Sequence, residues 1–131
     1  PDNAVEFFHG YTYSAHPAAC AAGLATLDIF ENEKLVERAA DLGPYFLDQV
    51  FALSDISLIK DIRGYGMFAG IDIESDDEAG TRGLDFQKRL FRNGLHIKMT
   101  GDAALIAPPL ISTKRQLDHL CDIFRQTLAE Y

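Results

Sequence analysis

The stretch HGYTYSAHP, His9 to Pro17, crowds two hydroxyl side chains, two tyrosines and two histidines ahead of a proline and an alanine-rich run. Thr12 and Ser14, together with the unpaired backbone N–H groups at a helix start, could hold an anion, phosphate included. Ordinary capping by Ser14, with Tyr11 and Tyr13 filling the edge of a core, accounts for the same residues, and helix starts rich in Ser and Thr are common. The residues alone leave both uses open.

Other stretches carry weaker signals. GYGMFA, Gly64 to Ala69, matches the glycine spacing of a dinucleotide-binding loop, but that loop must open a helix, and the residues after it alternate like a strand. A tight hairpin turn fits better. The acidic run Glu74 to Glu78 lacks the glutamate that closes a calcium loop: counting from Asp72, Asp76 or Asp77, the twelfth position falls on Gly83, Gln87 or Lys88. His9, His16, His96 and His119 are scattered without metal-ligand spacing, so no metal site is assigned. Ser14 sits in Tyr-Ser-Ala, without the flanking glycines of a nucleophile elbow.

Positioning such groups needs a folded frame, and 131 residues with 47% apolar and 24% charged side chains are enough for one. Twelve basic against twenty acidic side chains leave a formal charge of -8, which repels nucleic acid and anionic membrane surfaces. No apolar run approaches the roughly 20 residues of a membrane-spanning helix, and the start has no signal-peptide pattern. A cytoplasmic location is the expectation. Cys20 and Cys121 then read as small hydrophobes in helical patterns. Pro1 to Phe8 shows no element of its own and no initiator methionine, so the chain is expected to be a piece of something longer.

Pro17 suits the first position of a helix running to Phe30, with Ser14 as its cap. Ala18, Ala19, Ala21, Ala22, Gly23 and Ala25 leave that helix nearly bald, which suits close approach to a large partner. Leu35, Ala39, Leu42, Phe46, Val50 and Leu53 form the stripe of a second helix that Gly43-Pro44 should kink or split. From Ser57 the period changes to two, and Met67, Ala69, Ile71 and Ile73 face one way along a strand. A helix from Thr81 to Asn93, ended by Gly94, precedes a short strand, LHIKM. AALIAPPLI is a strand that its prolines confine to an edge or an end. Thr113 and Gln116 are spaced as the capping box of the last helix. Helices followed by strands mixed with helices make an α/β or α+β arrangement.

These segments resemble a family. HGYTYSAHPAACAAGLATLDIFENEKL is similar to the stretch that follows the cofactor lysine in class III, pyridoxal 5'-phosphate (PLP)-dependent aminotransferases of fold type I. DIRGYGMFAGIDI resembles that family's small-domain hairpin, and HIKMTGDAALIAPPLI its late strand and proline-ended segment. The likeness runs in order through almost the whole chain, toward the omega-amino acid–pyruvate branch with its taurine–pyruvate and beta-alanine–pyruvate enzymes. It implies that residues 1–131 are one C-terminal small domain, a small mixed sheet with helices on one side, preceded by a connecting helix near 17–30. The large PLP-binding domain would be absent.

The resemblance also implies roles. Thr12 would reach across a homodimer to the phosphate of the neighbouring subunit's PLP, and Tyr11 would flank it. The family's Schiff-base lysine lies several tens of residues before that threonine, whereas Lys34, Lys60, Lys88, Lys98 and Lys114 all follow it. No catalytic residue is therefore assigned, and the chain alone is not expected to transaminate. Lys98 stands where many relatives place an arginine that grips the substrate carboxylate. A lysine offers a point charge without a planar fork, so a tetrahedral sulfonate such as that of taurine becomes a candidate beside a carboxylate. A lysine snorkelling from an edge strand is the other use of that position. A non-catalytic α+β module for ligand binding or interaction is the alternative to an aminotransferase with an amino donor and pyruvate as substrates.

Overall fold

A proline that cannot donate opens the first helix: in the computed structural model, which describes residues 10–131, α1 runs Pro17–Asn32 with Pro17 in its first turn. His9 and the segment Pro1 to Phe8, expected to carry no element of its own, lie outside the described residues. The chain divides into two units between Lys34 and Leu35. The first contains α1, none of whose residues is buried. Ser14, expected to cap it, does not. The cap is His16, without a side-chain bond, because Pro17 sets the start and Ser14 lies too far upstream.

The second unit is built on a four-stranded sheet and three helices: α2 (Leu35–Phe51), β1 (Ile59–Tyr65), β2 (Phe68–Ile73), α3 (Thr81–Arg92), β3 (Lys98–Thr100), β4 (Ala103–Ile106) and α4 (Lys114–Leu128). Strand order is β1-β2-β4-β3. The resemblance implies a mixed sheet; every pair is antiparallel instead. Two-residue turns close both hairpins, which only antiparallel neighbours permit, and the crossover through α3 carries β3 to the far edge so that β4 returns beside β2. Gly66 and Gly101, at φ 56° and 58°, take the left-handed position in those two turns. Along β1 the register shifts between Ile59 and Asp61.

Helix α2 passes through Pro44 without splitting. The lost N–H bond there is outweighed by apolar burial, since Phe46 and Val50 on the next turns are fully buried. Gly43 lets the helix approach the first hairpin: a Cβ on it would lie 3.1 Å from the Gly66 Cα. Beyond α2 a single 3-10 turn, Ala52–Asp55, leads into the sheet.

All three helices cover one face of the sheet. Alternation puts Ala69, Ile71 and Ile73 of β2, with Ala104 and Ile106 of β4, in a single apolar cluster with Phe46, Phe86, Leu90 and Phe124. Phe86 and Phe124 meet edge to face with centroids 5.0 Å apart. The capping box of α4 forms as its spacing predicts: the Gln116 N–H bonds to Thr113 Oγ1, and Gln116 Oε1 accepts from the Thr113 N–H. Arg38 of α2 ties down the segment between β4 and α4, donating to the carbonyls of Leu110, Ile111 and Ser112 at 2.8 to 3.1 Å. The prolines of AALIAPPLI fall just past the end of β4, an interior strand, where no ladder bond is needed.

Phe124→Ala in this chain is expected to cost about 3–5 kcal/mol by opening a cavity where three elements meet. Leu84→Ala, at an exposed position of α3, is expected to cost about 0.5 kcal/mol or less. Urea unfolding followed by circular dichroism measures both.

Candidate functional site

Residues 12–15 form a turn that delivers the chain into α1. The Ser14 N–H bonds to the Tyr11 carbonyl at 3.1 Å and the His16 N–H to that of Tyr13 at 3.4 Å. Ala15 holds φ 61°, a left-handed conformation that disfavours any side chain and reverses the path just ahead of the helix. Tyr11 and Tyr13 are 76% and 85% exposed, so neither fills a core edge here. Thr12 is exposed beside them. At the start of α1 there is no side-chain cap from His16 and no carboxylate in the first turn. The first-turn N–H groups of Ala18 and Ala19 thus have no intrahelical acceptor. Hydroxyl, N–H groups and the positive end of a helix are the donor set that suits a phosphate.

Lys98 belongs to the second unit. Met99 packs against the core, so alternation sends Lys98 and Thr100 to the sheet face opposite α2, α3 and α4. Register places Lys98 beside Leu105, Leu105 beside Gly70, and Gly70 beside Arg63. Arg63 lies across Gly70, with its Cγ, Nε and Cζ 3.6 to 3.7 Å from where a Cβ would stand. Its guanidinium is taken by two carboxylates: Nη1 reaches Asp61 and Asp72 at 2.7 Å, and Nη2 a second Asp72 oxygen at 3.0 Å. Those bonds hold the Asp72 carboxyl below the usual range against a smaller opposing effect of burial, and push the Arg63 guanidinium higher still. Lys98 makes no ion pair and no side-chain hydrogen bond among the described residues. Among the described residues of this face, Lys98 thus differs from Arg63 in having no acidic partner.

The hairpin that carries Lys98 is anchored at its turn. Asp102 Oδ1 accepts the Gly83 N–H at 2.8 Å, and Oδ2 accepts the Gly80 N–H and the Ser75 hydroxyl, both at 2.7 Å. Its own carbonyl accepts the Ile73 N–H at 3.0 Å. Helix α3 is therefore capped by a carboxylate from the adjoining β3–β4 turn, since its own N-cap, Gly80, has no side chain to offer. Gly83 is required for this docking: a Cβ there would stand 2.0 Å from the Gly101 carbonyl oxygen. Partial burial opposes ionisation of Asp102, but the bonds from Gly80, Ser75 and Gly83 and the charge of Arg82 outweigh it, and the carboxyl sits below its ordinary range. Arg82 in turn is bound by Asp76, its Nε lying 3.0 Å from the carboxylate, which organises the acidic loop as structure.

Tyr11 and Thr12 thus share one turn of the first unit, and Lys98 stands on the second. Sequence reasoning notes Gly101-Asp102 only as the part of the family's Arg-x-x-Gly-Asp context that this chain keeps, gives Asp102 no role, and does not single out Gly83 or Arg63. The signals for Asp102 and Gly83 are the dipeptide Gly101-Asp102 between two short strands and the pair of glycines around the start of α3; Arg63 gives none beyond an alternating charge pattern.

A family model described as aminotransferase class-III matches residues 2–128. The omega-aminotransferase of Caulobacter vibrioides is 42% identical over 130 residues, covering 98% of this chain and 30% of that protein. The beta-alanine–pyruvate aminotransferase of Pseudomonas aeruginosa is 38% identical, covering 98% of this chain and 29% of its own length. Among solved structures, a thermostable omega transaminase mutant from Pseudomonas jessenii superimposes with a TM-score of 0.86 at 32% identity, over 93% of this chain and 29% of that one. The chain spans about 30% of the length of the curated relatives it matches.

Because the folded Asp102 carboxyl titrates below its unfolded value, it stabilises the second unit above the ordinary carboxylate range, about pH 4, and that contribution is lost as pH falls through the lower folded value. Asp102→Asn is expected to lower the urea midpoint at neutral pH, with the gap to the unmodified chain closing as pH falls below the ordinary carboxylate range.

Proposed function

The chain belongs to the class-III aminotransferase family, and we propose that it forms the C-terminal part of a longer, homodimeric enzyme that moves an amino group from an omega-amino acid or amine to pyruvate. The names of its relatives, an omega-aminotransferase and a beta-alanine–pyruvate aminotransferase, support that choice of substrates, and the share of their length it spans supports a longer parent. The family depends on PLP, which when bound supplies the carbonyl that takes up the amino group and the electron sink for the proton shift.

The observation that carries the cofactor assignment is the exposed Thr12 hydroxyl on a turn ahead of an uncapped helix start. Thr12 donates to the phosphate of a neighbouring subunit's cofactor, Tyr11 flanks it, and the positive end of α1 adds field of the right sign. None of the five lysines fits the Schiff-base position, so this segment grips cofactor and substrate while the rest of the enzyme performs the chemistry. The isolated chain is inactive on this account.

Lys98 draws in the acidic end of the amino donor. Its ammonium lacks the planar fork of arginine and so favours a carboxylate only weakly over a sulfonate, which admits taurine beside beta-alanine. A lysine with no carboxylate of its own to satisfy, on the face turned away from the core, supports this role.

In the full-length protein, Thr12→Ala is expected to weaken PLP retention about ten-fold or more, measured by equilibrium dialysis against the cofactor's absorbance; unchanged affinity overturns the phosphate assignment. Lys98→Arg is expected to raise the ratio of kcat/KM for beta-alanine over taurine by about three- to ten-fold. A ratio indifferent to that exchange removes Lys98 from the substrate.

A further inference from the structure

We propose that Asp102 is a positioning residue for Lys98, docking the β3–β4 turn on the start of α3 and thereby fixing where on the open sheet face the Lys98 ammonium meets the acidic end of the substrate, an inference that rests on the substrate role given to Lys98 above.

Strand β3 is three residues long and lies at the edge of the sheet, paired among the described residues only with β4. A strand so short, bonded on one side, does not hold a fixed place by ladder bonds alone. Helix α3 supplies the missing constraint at both ends. Before the strand, Gln87 Nε2 donates to the Ile97 carbonyl at 3.0 Å, one residue from Lys98. After it, the Asp102 carboxylate takes three donors, two of them backbone N–H groups at the start of α3. Gly83 brings the helix so close to Gly101 that the turn cannot slide along the helix without a backbone collision.

Lys98 itself needs such a constraint. With no hydrogen bond or ion pair among the described residues, its side chain is placed only by the strand beneath it. Arg63, on the same face, is by contrast clamped by Asp61 and Asp72. Holding the substrate's acid group in one position therefore depends on where the Lys98 backbone stands. That in turn is set four residues later, at Asp102.

The test uses the full-length holoenzyme with beta-alanine and taurine as donors. Asp102→Asn is expected to raise KM for both about ten-fold, with kcat and PLP occupancy within about two-fold of the unmodified enzyme, because only acid-group binding is disturbed. Lys98→Ala is expected to raise KM in the same way, and the double variant to be no worse than Lys98→Ala, since one residue acts through the other. If Lys98→Ala raises KM but Asp102→Asn leaves it unchanged, lowers kcat in step, or adds fully to Lys98→Ala, the positioning role fails while Lys98 keeps its own. A Lys98→Ala variant with unaltered KM removes the substrate role and this inference with it. Should Asp102→Asn not fold, Ser75→Ala takes its place; it deletes one of the three bonds from an exposed side chain and is expected to raise KM about three-fold.

Discussion

A carboxylate from one hairpin caps a helix from another part of the chain, and much of the second unit is arranged around that contact. Helix α3 begins on a glycine in a left-handed conformation, Gly80 at φ 85°, which cannot cap its own helix. Asp102 does so from the β3–β4 turn, and Gly83 leaves out the side-chain atoms that would otherwise stand between the two backbones. The bonds satisfy donors that would otherwise be unpaired at a partly buried helix end, while the negative charge sits at the positive end of the helix. One contact therefore serves the helix, the hairpin and the far edge of the sheet.

The same contact underlies a division of labour between the two faces of the sheet. Helices crowd one face, where Phe46, Phe86 and Phe124 meet the small and branched side chains of β2 and β4. The other face carries Arg63 with its two aspartates, and Lys98 at the edge. Paired charges on an exposed surface contribute little stability. What they do is settle which cation is already satisfied. Arg63 has acceptors within its own sheet, and Lys98 has none there among the described residues.

Elements whose signals are local are legible in the sequence. Period-two alternation places Met67, Ala69, Ile71 and Ile73 on the buried face, and all four are buried; the spacing of Thr113 and Gln116 marks the start of α4. The resemblance to class III aminotransferases points to the family that the family model matches. Features that depend on distant partners are not legible in the same way. Pro44 suggests a broken helix only until the burial of Phe46 and Val50 is known. Ser14 is a good cap by type and a poor one by position. The mixed sheet implied by the resemblance gives way to an antiparallel one, since strand direction depends on how α3 crosses over, which no local pattern records. Asp102 resembles an ordinary turn residue because its partners lie about 20 to 30 positions earlier in the chain, and no periodicity links such residues.

The two margins of the sheet are unlike each other, and this bears on how the unit behaves in concentrated solution. Strand β3, three residues long, offers too few unpaired N–H and C=O groups to recruit a passing strand in register. Strand β1 is longer, but its irregular register near Asp61 and its charged side chains Lys60, Asp61 and Arg63 break the flat, apolar template that fibril-like addition needs. Both margins are thus guarded against runaway strand pairing, one by brevity and the other by charge and distortion.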